Sequence, residues 1–226
     1  MNGITDMPRL RLIDMALMAA IAATLLAAIV ISLWDKVFFY EVFAAEDGFF
    51  ENGTAVFLLL SSLVLFAHVV SLWTKGERKK AMFTAFYGAL FFFAAGEEIS
   101  WGQRIIGWES SQYFLDNNHQ AETNVHNMVV GGKNLAKTLF GPVLTLILLT
   151  YLLILPMVYG RVAWISRLAD WMAVPVPQKH HALAALASTV VITVIVAQRK
   201  WEIYEFTFSL MALGIFLMPQ NRDKVA

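Results

Sequence analysis

The residues best suited to chemistry in this chain are carboxylates at the rims of apolar runs. Glu97 and Glu98 follow the uncharged run 81–96, and Glu202 and Glu205 precede the uncharged run 206–221. Each run is 16 residues by its numbering, whereas a helix crossing a bilayer needs roughly 20 at about 1.5 Å each. Reaching that length draws the glutamates into the membrane, where an ionisable group is costly and marks a site. Glu202 and Glu205 are three apart and share a helix face.

A second set lies between residues 117 and 127. Asn118, Glu122 and His126 recur every fourth residue, which on a helix makes one polar stripe. A Glu and a His four apart can share one divalent ion. Carboxylates alone suit Mg²⁺, Ca²⁺ or Mn²⁺, and an added imidazole admits Zn²⁺ or Fe²⁺. The expected ligands of a divalent ion, its identity open, are therefore Glu98, Glu122, His126 and Glu202. Glu98 and Glu205 are the candidate catalytic carboxylates, with Arg104 beside them. Asn118, Asn124, Arg199 and Lys200 are the candidate substrate contacts, the two cations suiting a phosphate. Glu98, Glu122, His126 and Glu205 are expected to meet near one membrane surface.

Plainer roles compete for the same residues. Glu97 and Arg104 are seven apart and can pair to anchor a helix end. Asp47 and Glu51 suit the start of a helix through its dipole. His68 reads as an interior histidine, and His180 and His181 read as interfacial.

The elements that must position these groups are membrane helices. The chain is 58% hydrophobic and 15% charged, with a mean hydropathy of +0.61; a soluble domain is nearer half apolar and a quarter charged. It has no cysteine, which excludes disulfides, thiolate ligands and cysteine nucleophiles. Six spans are expected, near 15–34, 52–73, 81–100, 138–159, 181–198 and 202–219, the first retained because no small-residue cleavage pattern follows it. They give an all-α, six-helix polytopic bundle, a single domain over 1–226, with outer loops near 35–52, 101–137 and 199–202. Six spans put both termini on one side. Eleven of the 17 Lys and Arg residues fall on that side, which makes it cytoplasmic by the positive-inside rule. The segment 161–178, with Trp164, Leu168 and Trp171 at helical spacing before Pro175 and Pro177, reads as an interfacial helix.

Three function classes follow. One is a metal-dependent hydrolase or transferase acting on a lipid headgroup or lipid-linked substrate at the extracytoplasmic face. Another is a cation or proton path using the same carboxylates. The third is an assembly protein whose amide-rich loop docks a partner. The implied partners are membrane lipids and no nucleic acid, with protein partners unnamed. The expected location is a bacterial inner (plasma) membrane.

Overall fold

The computed structural model describes residues 7–226. Residues 1–6, the start of the expected 1–226 domain, lie outside the described residues. The principal helices are α1 (Met7–Trp34), α2 (Phe49–Thr74), α3 (Arg78–Glu98), α4 (Ala136–Val158), α5 (Ala163–Trp171), α6 (Lys179–Val194) and α7 (Lys200–Leu217). A small ladder pairs Val129–Val130 antiparallel with Lys133–Asn134.

The buried residues of α1 are Asp14, Leu17, Ile21, Leu25, Ala28 and Ser32, three or four apart, the period of one helix face. The opposite face is apolar too: Leu26, Val30 and Leu33 are exposed, which suits contact with lipid tails. α7 is the centre of the bundle. Ile203, Leu210, Met211 and Ile215 are almost wholly buried, and the helix packs against α1, α2 and α6. α2 and α3 form a close hairpin in which Ser62 Oγ donates to the Gly88 carbonyl at 2.8 Å, the small-residue contact typical of membrane helices. α4 contains Pro142 and is little buried, with only Leu152 and Pro156 enclosed. Proline supplies no N–H, and two stretches of α4, Ala136–Val143 and Thr150–Ile154, relax to π-helical turns.

Six membrane-spanning helices are not found among the described residues. Among the described residues, α1, α2 and α4 are the three helices long and apolar enough to cross a bilayer, and a fourth counts if α3 and Ser100–Ile106, bent by 64°, make one broken span. The other two expected spans fail for different reasons. α6 has 16 residues, roughly 24 Å of helix against a hydrocarbon core of roughly 30 Å. α7 has 18, but Lys200, Glu202 and Glu205 occupy its first two turns and shorten its apolar part. Both pack as bundle helices without being spans by length and composition.

Alternating helix direction gives the bundle two distinct ends. One gathers Glu46, Asp47, Glu98, Arg104, Arg199, Glu202 and Glu205. The other gathers Asp14, His181 and Gly214. α5 leaves Trp164, Leu168 and Trp171 exposed, as an interfacial helix would.

Candidate functional site

α3 stops at Glu98 because the chain then turns left-handed, with φ of 46° at Ser100, 56° at Trp101 and 78° at Gly102. Glycine takes that conformation freely, whereas Ser and Trp hold it at a cost of about 1–3 kcal/mol each. Trp101 is held by its return contact with α3. Its Nε1 donates to Glu97 Oε1 at 3.0 Å, and its ring lies within 2.7 Å of where a Cβ on Gly96 would stand. Asp47, Ala121 and Arg199, from three other segments of the same end, also have positive φ.

The break leaves Glu98 facing the start of α7. Glu98, Glu202 and Glu205 each offer a carboxylate oxygen, and these oxygens lie within 4.8 Å of one another. Glu98 and Glu202 are half-buried and Glu205 is exposed. Glu51, in the first turn of α2, is near enough to act electrostatically on all three, and His126 is near enough to act on Glu205. Like charges at such separations repel, and a bound cation or protons relieve the repulsion. A cavity of about 190 Å³ opens alongside, lined by Asp47, Glu51, Asn52, Ile99, Arg104 and Ile105.

Glu122 and Arg104 belong to a neighbouring network. Arg104 is ion-paired with Glu122 and Asp47 and lies 3.3 Å from Glu46, which holds Arg199 at 2.6 Å. Buried Glu122 also accepts from Ser100 Oγ at 2.6 Å and from Asn124 Nδ2 at 2.8 Å. Asn118 Nδ2 donates to Asn124 Oδ1 at 2.9 Å. Lys200 Nζ donates to the Ile195 carbonyl at 2.9 Å. Arg104, Asn118, Asn124, Arg199 and Lys200 therefore all have partners within the chain.

The helical stripe expected through Asn118, Glu122 and His126 is not formed. The local helix, Gln112–Asn117, ends one residue before it. Asn118 Oδ1 accepts from the backbone N–H of Gln120 at 2.9 Å and of Glu122 at 3.3 Å; such local amide bonds compete with helix. Glu97 clamps this loop to α3. Its Oε2 accepts the N–H groups of Val125 at 2.6 Å and His126 at 3.0 Å, and lies 3.6 Å from His126 Nδ1. The expected site residues thus divide into Glu98 with Glu202 and Glu205, Glu122 with Arg104, and His126 with Glu97.

A second cluster stands at the opposite end. Asp14, His180 and His181 are geometrically compatible with binding a divalent metal ion. Asp14 Oδ2 lies 2.7 Å from His180 Nε2, and Oδ1 lies 2.8 Å from His181 Nε2. Asp14 and His181 are buried and His180 is exposed. Its signal in the sequence is slight: an aspartate in register with the buried stripe of α1, and a histidine pair opening another apolar run. The interfacial reading fits exposed His180 and fails for His181, which is wholly buried.

No family model, no curated protein and no solved structure matches this chain.

Proposed function

We propose that this chain is a metal-dependent hydrolase or transferase acting on a lipid headgroup or lipid-linked substrate, in a bacterial inner membrane. The observation that carries the reading is the convergence of Glu98, Glu202 and Glu205 from two helices onto one point beside a cavity. Three carboxylates suit a hard divalent ion. Such an ion supplies polarisation of a phosphoryl or acyl oxygen and an activated water. Glu51 lines the cavity and is the further carboxylate placed to take a proton from that water. Arg104 lines it too, and is placed to meet a phosphate as a planar, always-charged donor. The basic residues Arg78, Lys79 and Lys80 begin α3 at the end away from the glutamates, which supports an extracytoplasmic glutamate site.

The test is metal analysis of protein purified without chelator, in a His180→Ala background so that the Asp14 cluster does not contribute. About one divalent ion per chain is expected, lost in Glu205→Gln. The same preparation should convert a labelled bacterial lipid extract, and excess chelator should stop it. Protein with neither metal nor conversion would sink the proposal.

A further inference from the structure

We propose that Asp14 and His180 form a separate site for a borderline divalent ion such as Zn²⁺ or Co²⁺, with His181 positioning the carboxylate and not binding the ion. The argument begins at the start of α6. The backbone N–H of Gln178 donates to His181 Nδ1 at 3.1 Å, closing a capping box. A neutral imidazole carries one N–H. With Nδ1 accepting, the proton is on Nε2, which donates to Asp14 Oδ1 at 2.8 Å. Both ring nitrogens of His181 are then engaged, and neither has a lone pair for an ion.

Asp14 Oδ2 is left, with His180 Nε2 2.7 Å away. An ion bonded to both at about 2.1 Å in tetrahedral geometry holds them roughly 3.4 Å apart. The His180 ring need only retreat by under about 1 Å, and its side chain is 43% exposed. Water can complete the coordination from that open side. The Oδ1 side is closed by α7: a Cβ on Gly214 would come within 2.7 Å of Asp14 Oδ1 and 3.3 Å of His181 Nε2. The backbone of α7 thus walls in the Asp14–His181 pair and leaves Oδ2, turned to the exposed His180, as the oxygen that α7 does not face. An imidazole nitrogen beside a carboxylate favours Zn²⁺ or Co²⁺ over Mg²⁺ or Ca²⁺. A hydrogen bond that orients a ligating carboxylate is the usual outer support of such sites. This site is independent of the glutamate site at the other end of the bundle.

The experiment is a Co²⁺ titration of the full chain in detergent with excess Mg²⁺, followed by ligand-field absorption. One equivalent of Co²⁺ is expected. Asp14→Asn, which keeps size and the bond from His181, and His180→Ala should each weaken binding at least tenfold. Glu205→Gln should leave it unchanged. Pulsed EPR of the Cu²⁺-loaded chain should count one imidazole nitrogen donor. The proposal is overturned if wild type binds no Co²⁺, if His180→Ala binds it as wild type does, if only Glu205→Gln loses it, or if two imidazoles are counted.

Discussion

Trp101 turns back along α3 so that its indole Nε1 donates to Glu97, four residues earlier, at 3.0 Å. The contact fixes the left-handed break at Ser100–Gly102 that ends α3 just after Glu97 and Glu98, and it depends on the bare Cα of Gly96. Gly96→Ala places a methyl group within 2.7 Å of the ring and should destabilise the chain by about 1–3 kcal/mol, the usual cost of overpacking. Trp101→Phe keeps most of the ring and loses the hydrogen bond, for a smaller loss of about 1 kcal/mol. Thermal unfolding in detergent measures both. A Gly96→Ala chain as stable as wild type would show that the ring does not need this position.

Arg104 is the counter-charge of buried Glu122. Arg104→Ala leaves that carboxylate with only the Ser100 and Asn124 donors. A loss of about 1–3 kcal/mol is expected, since removing one partner strands the other. Adding Glu122→Gln should restore part of it. The double-mutant cycle distinguishes an anchoring role from one confined to substrate: a substrate-only Arg104 gives stability changes that are near zero in both variants.

Of the four residues expected to meet, Glu98 and Glu205 do stand together, now with Glu202, and that much of the pattern rests on length. Apolar runs of 16 residues put their flanking glutamates at one level, and the spacing of three on α7 gives them one face. The span count failed on the same measure, because α6 and α7 are apolar enough to pack but not long and uncharged enough to cross alone. The loop around Glu122 was opaque, since asparagine bonding to nearby backbone overrides a four-residue pattern. The Asp14–His181 pair was harder still. Its partners are 167 residues apart, and nothing local requires them to meet until α7 brings Gly214 between α1 and α6.

Two tyrosines tie the turn after α5 to the bundle. Tyr87 Oη on α3 donates to the Met172 carbonyl at 3.0 Å, and Tyr151 Oη on α4 donates to the Pro175 carbonyl at 2.6 Å. Ala173 between them has φ of 51°, a conformation that needs outside support. Tyr87→Phe with Tyr151→Phe should cost about 1–3 kcal/mol, a net hydrogen bond each. Limited proteolysis should then cut the 172–178 segment faster than in wild type. Unchanged cleavage would assign the turn's conformation to packing.

The final expectation separates catalysis from conduction. Glu205 and Gly214 lie nine residues apart on α7, roughly 13 Å, and so set the distance between the carboxylate end and the Asp14 end. Phe206, Leu210, Met211 and Leu213 fill that stretch and are buried. The hydroxyls of Thr207 and Ser209 are turned to their own helix, donating to the carbonyls of Tyr204 at 2.9 Å and Phe206 at 2.8 Å. A proton path along α7 needs water or titratable groups there, and apolar walls exclude water. Liposomes containing the protein should therefore hold an imposed pH gradient as long as protein-free liposomes, read with an internal pH-sensitive dye. A faster collapse that disappears in Glu205→Gln would establish conduction through the glutamate site and displace the enzymatic reading.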